Sequence, residues 1–188
     1  MLILCALWQP ILLSAVIVFV ASSIIHMAPL WHKGDYPRVP NEDQLRAAVG
    51  PLGIPPGNYM VPRAANMEEM KAPAFKEKVK QGPVIFMTVL APGQLFSMGR
   101  NLVLWFIYVL AISALVGYID GHVLPPGTNY RHVFKITGLI AFMGYAMAVW
   151  PQSIWYRRSW SQAIKESVDG VIYGALTAGT FGWLWPGA

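Results

Sequence analysis

From Met1 to Trp31 the chain carries no charged side chain. Three more apolar runs follow, Leu102 to Ile119, Ile136 to Tyr156 and Gly170 to about Trp185. About 20 residues of helix at 1.5 Å each cover the hydrocarbon core of a bilayer, so each run is of spanning or near-spanning length. In a soluble protein a helix apolar on all sides must be buried. Four of them cannot all be buried within 188 residues. The sequence therefore predicts an all-α membrane protein with four transmembrane helices, the first from about Trp8 to Leu30. A cleaved signal peptide ending near Ala21-Ser22-Ser23 is the rival for the first run, and the lack of a basic segment ahead of it favours a retained helix.

Charge is concentrated in one stretch. Of the 23 Lys, Arg, Asp and Glu residues, 14 lie between Lys33 and Lys80. Overall only 12% of residues are charged, against about 25% in a typical soluble domain. This pattern divides the chain into helix 1 (1–30), an extramembrane loop (31–101) and a three-helix membrane region (102–188, with spans 102–119, 136–156 and 170–185).

The loop reads as a small mixed α/β element. Asn41 with Gln44 has the form of a capping box opening a helix to Val49, and Asn66 with Glu69 repeats it. Pro73 suits the first turn of a helix over 74–80. Pro51, Pro55 and Pro56, with Gly50, Gly53 and Gly57, predict turns. Pro83 to Pro92 is too short to cross a membrane as a helix and is rich in β-formers, predicting a strand or an interfacial stretch. Met67, Met70, Phe75 and Val79 would supply one apolar side. A body of this size, broken so often by Pro and Gly, buries little core of its own and is expected to pack on the membrane or a partner.

Basic residues set the orientation. With the N-terminus outside, the cytoplasmic side collects 12 Lys and Arg and the outside keeps 2, Arg131 and Lys135. Both termini are then outside and the loop is cytoplasmic. Trp155, Arg157, Arg158 and Trp160 form an aromatic and basic cluster suited to the lipid interface and to anionic headgroups.

Recognisable catalytic motifs are lacking: there is no H-E-x-x-H, G-x-S-x-G or phosphate loop. Cys5 is the only cysteine, which leaves no cysteine pair for a metal or a disulfide. His26, near the cytoplasmic end of span one, and His122 and His132, flanking the outer loop, fall on opposite sides of the bilayer, so they make no transmembrane haem pair. No cofactor is predicted. Two weak groupings remain: His26, Trp31 and His32 for a bound ligand, and Asp120, His122 and His132 for a metal, the latter more simply read as polar residues around a Pro-Gly turn. No ionisable group is expected at mid-membrane, which argues against transport. There is also no dense basic run for nucleic acid.

Gly170, Gly174, Ala178 and Gly182 recur every four residues and line one helix face where another backbone can approach closely, within the bundle or between molecules. The resulting expectation is a non-catalytic accessory or scaffold subunit, in contact with membrane lipids and with other membrane subunits or further copies of itself. The alternative is a binding protein or enzyme for a hydrophobic ligand, lipid or quinone, near the inner mouth of span one.

Several phrases together carry a resemblance: His26-Met27 with Trp31-His32 and Asp35-Tyr36, Pro40-Asn41-Glu42, Met70-Lys71 with Pro73, Ser97-Met98-Gly99, the run Asp169 to Tyr173, and the run Thr177 to Pro186. From residue 26 onward the chain resembles a family of bacterial inner-membrane proteins of no known activity. The resemblance implies a bacterial inner-membrane setting and a four-span topology, and no chemistry.

Overall fold

The computed structural model describes residues 6–28 and 31–187. Cys5 and the last two residues of the first expected span, Pro29 and Leu30, lie outside the described residues. The chain is mostly helical and divides into two units, Met1–Pro37 with Met98–Ala188, and Arg38–Ser97.

In the first unit, α1 is Trp8–Met27. The second unit contributes α2 (Glu42–Val49), β1 (Gly57–Val61), α3 (Met67–Lys71), α4 (Pro73–Gln81) and β2 (Ile85–Val89). The first unit then continues with α5 (Met98–Val123), α6 (Tyr130–Ala146), α7 (Trp150–Tyr156) and α8 (Trp160–Trp183). Among the described residues, three stretches are long and apolar enough to cross a membrane: Trp8–Met27, Met98–Val123, and Tyr130–Tyr156 taken as one. They mark a membrane-embedded protein. The fourth run behaves differently. Its helix begins ten residues before the expected Gly170, at Trp160, and so takes in Lys165, Glu166 and Asp169. The uncharged remainder is only about 21 Å of helix at 1.5 Å per residue.

The other helices also outrun their apolar segments. α5 begins before Leu102 and ends after Asp120, bringing the last residues assigned to the loop into the helix. α6 begins at Tyr130, well before Lys135, because Asn129 caps it by accepting a hydrogen bond from the His132 amide at 3.0 Å. Between α6 and α7 the helix tightens to a 3-10 turn at Met147–Val149. Pro151 is the cause, since it donates no amide bond and its ring crowds the carbonyl four residues back. Arg157, in the left-handed region at φ 58°, ends α7.

α1 packs on α5 and α8, and α6 also packs on α5 and α8, closing a four-helix arrangement. Its interior is lined by small and hydroxyl side chains: Ser14, Ala15, Ser113, Thr137, Ala141, Thr177 and Ala178 are all fully buried. Large apolar residues such as Leu12, Val20, Ile107, Leu115 and Val171 face outward. In lipid, close packing of small residues and interhelical hydrogen bonds, rather than apolar burial, hold helices together. The bonds are present: Ser14 to Ser113 at 3.2 Å joins α1 to α5, and Trp105 donates to Ser22 at 2.7 Å across the same pair.

Gly170, Gly174, Ala178 and Gly182 face α6 of the same chain, running antiparallel to it. A Cβ at Gly174 would lie 3.1 Å from the Gly138 carbonyl oxygen, one at Gly170 2.6 Å from Ala146 Cβ, and one at Gly182 2.7 Å from the Tyr130 ring.

In the second unit β1 and β2 pair antiparallel, Gly57 opposite Val89 and Val61 opposite Ile85. The segment 83–92 is thus a strand in part, and its partner begins at a glycine that the sequence alone marked as a turn. Asn66 caps α3 as expected, accepting from the Glu69 amide at 2.8 Å, while the Glu69 carboxylate accepts from the Ala65 amide at 2.6 Å. The first capping box does not form. Asn41 is left-handed at φ 56° and makes no side-chain cap bond, since a true cap needs extended backbone to aim its side chain at the turn.

Candidate functional site

α1 has one titratable side chain, His26, in its last turn. The chain then turns through Trp31, His32 and Asp35, and these meet the charged first half of α8. Lys165 and Asp169 are four residues apart on that helix, so they share a face. Asp169 lies 3% exposed at the centre of the group. Its Oδ1 accepts from the Trp31 indole at 3.0 Å, and its Oδ2 lies 2.7 Å from His32 Nε2. The other imidazole nitrogen of His32, Nδ1, lies 2.7 Å from Asp35 Oδ2, and Asp35 Oδ1 accepts from Lys165 at 2.5 Å.

At this distance a proton must lie between each ring nitrogen and the carboxylate oxygen it faces, because two lone pairs would otherwise oppose each other. Both ring nitrogens can donate to carboxylate oxygens at once only in the imidazolium form, so the two contacts together favour that form of His32. The four side chains Asp35, Asp169, His32 and Lys165 then sum to zero charge, the condition for burying them together. Burial works against this protonation. The hydrogen bonds from His32 to Asp35 and Asp169, with their charges, outweigh it and raise the imidazole above its ordinary 6.5. Burial likewise pushes the Asp35 carboxyl up, and Lys165 and His32 outweigh it, holding it below its ordinary 3.8.

His26 completes the group without being locked into it. Its ring lies 4.4 Å from that of His32, tilted by 33°, and its Nε2 lies 3.9 Å from Asp169 Oδ2 with the side chain 49% exposed. Nothing hydrogen-bonds it among the described residues. No protein-family model, curated protein or solved structure matches the chain.

The structure thus brings His26, Trp31 and His32 together and adds Asp35, Lys165 and Asp169, which the sequence reading left out. The available signal was a charged i, i+4 pair running straight into an apolar segment. What hid it was the separation in sequence between the turn after α1 and the start of α8.

Asp120, His122 and His132 are placed apart in role. Asp120 is fully buried and accepts from Thr137 at 2.6 Å, tying α5 to α6, and its Oδ1 has no partner among the described residues. His122 is exposed and turns back onto the Tyr118 carbonyl at 2.6 Å, and His132 sits exposed in the first turn of α6. Among the described residues, the group of three or more whose ligand atoms could surround an ion is His26, His32 and Asp169. Trp155, Arg157, Arg158 and Trp160 lie exposed around the turn joining α7 to α8.

Proposed function

We propose that this chain is a four-span inner-membrane protein of bacteria, with both termini outside, acting as a non-catalytic accessory subunit whose Arg38–Ser97 unit docks on a partner from the cytoplasmic side. One observation carries the reading. No described residue of that unit is buried, and Leu45, Leu52, Met67, Met70 and Leu95 are all exposed. Apolar side chains in a folded unit of this kind find their cover on another surface. α8 serves as the fourth span because its small-residue face packs along α6 while Val171 and Trp183 on its other faces are exposed. The exposed Trp155, Arg157, Arg158 and Trp160 then meet lipid headgroups at the inner surface.

The test is purification of the full chain in mild detergent, with mass spectrometry of what co-migrates, beside the double variant Met67→Glu, Met70→Glu. A membrane subunit bound to the parent and lost from a folded variant is the expected result. A parent that runs as a lone monomer sinks the proposal. A second reading, a hydrophobic ligand such as a lipid or quinone held near the inner end of α1, draws support from the convergence of His26, Trp31 and His32. Native mass spectrometry showing a retained small molecule that His26→Ala releases would favour it.

A further inference from the structure

Going beyond the accessory role, we propose that His26, His32 and Asp169 bind a divalent first-row transition-metal ion at the junction of α1 and α8. Three observations support this. The ligand atoms of these residues lie within 4.8 Å of one another. A metal held by imidazole at about 2.0–2.1 Å and by carboxylate at about 2.0–2.2 Å sets its ligand atoms roughly 3 to 3.5 Å apart. The observed 2.7 Å from His32 Nε2 to Asp169 Oδ2 and 3.9 Å from His26 Nε2 to the same oxygen bracket that spacing. Small side-chain adjustments bring both into range.

The surrounding side chains are already those that orient ligands. A metal-bound histidine commonly donates its far N–H to a carboxylate, which fixes the tautomer and raises the basicity of the ligating nitrogen. Asp35 does this for His32 Nδ1, and Lys165 in turn holds Asp35. The Trp31 indole takes Asp169 Oδ1 and leaves Oδ2 directed at the two histidines. His26 is half exposed and nothing hydrogen-bonds it among the described residues, which leaves its Nε2 available as a ligand. Two imidazoles and one carboxylate form a ligand set suited to zinc, cobalt or ferrous iron rather than to calcium or magnesium, which take oxygen ligands. The proton balance closes: an ion takes the place of the His32 Nε2 proton, which leaves to solvent.

The experiment uses the full chain in detergent, carrying no polyhistidine tag, stripped with a chelator and titrated with Co²⁺ while visible d–d absorption is recorded. One equivalent should bind and develop these bands. His26→Ala removes a side chain that holds nothing else in place, so the fold should survive while cobalt affinity drops at least 10-fold. Asp35→Asn should weaken binding about 10–100-fold through the orienting contact. His132→Ala should change nothing. No bands from the parent protein overturns the proposal, as does an unchanged titration in a folded His26→Ala variant, which would put the ion elsewhere. Zn²⁺ should compete the cobalt bands away, and failure to compete would equally count against a site of this composition.

Discussion

His32, with each ring nitrogen 2.7 Å from a buried carboxylate oxygen, makes the protein's stability depend on pH. In metal-free protein the imidazole is raised above 6.5, so its contribution is whole below 6.5 and is lost as pH rises through the raised value. The Asp35 carboxyl is depressed, so its contribution is whole above 3.8 and is lost as pH falls through the lower value. Chelator-treated protein should therefore melt highest between about pH 4 and 6.5 and lower at pH 9. Thermal melts across that range, run beside His32→Gln, check it. A glutamine has no proton to lose in this range, so its profile should be flatter on the alkaline side, and an identical slope would count against the imidazolium. At the other buried carboxylate the pair behaves asymmetrically. Thr137→Val leaves Asp120 buried without its donor and should cost about 1–3 kcal/mol, whereas Asp120→Asn keeps an acceptor for the Thr137 hydroxyl and should cost less. Chemical or thermal unfolding in detergent would rank the two, and the reverse order would show that Thr137 is not the group that compensates Asp120.

Among the elements, the α6–α8 contact is the tightest, since backbone meets backbone where Gly174 faces Gly138 and Phe142. Gly174→Leu puts a branched side chain where even a Cβ would be 3.1 Å from a carbonyl oxygen. Neither backbone can move aside cheaply, so the cost should reach about 1–3 kcal/mol or more, a drop of several degrees in Tm for the monomer. Val171→Leu, on an exposed face, should be close to neutral. If Gly174→Leu melts like the parent, the helices do not approach as closely as described. The four-residue spacing showed the ridge in the sequence, but not its partner. That depended on α6 having its own small residues, Gly138 and Ala146, at the matching heights. Helix lengths were legible only in part for a related reason. Apolar content marks what lies in lipid, while α8 runs on through Lys165, Glu166 and Asp169 because backbone hydrogen bonding and the partners of those side chains carry the helix past the apolar boundary.

At the scale of the whole molecule, topology and the dependence of the second unit on its surroundings each give a direct test. With Cys5→Ser as background, a membrane-impermeant thiol reagent applied to intact cells should label Pro126→Cys and spare Val39→Cys. The opposite pattern would invert the orientation derived from basic residues. A fragment over residues 31–99 should give poorly dispersed amide resonances with little protection, because none of its described residues from Arg38 to Ser97 is buried. Well-dispersed, protected amides would show a core sufficient on its own.

Local composition and period already carry the membrane setting, the three stretches long and apolar enough to cross, the polar insertion and the cap at Asn66, and they narrow 83–92 to a strand or an interfacial stretch. Each follows from transfer of side chains into lipid or from contacts within a few residues. Which helix receives the small-residue face, and that 57–61 is the second strand, emerge only once the chain is folded. So does the meeting of the turn after α1 with α8, where Asp35 and Lys165 neutralise a cluster that the isolated residues His26, Trp31 and His32 did not announce. These are pairings between distant segments, and a buried charge is stable only once its partner from elsewhere in the chain has arrived.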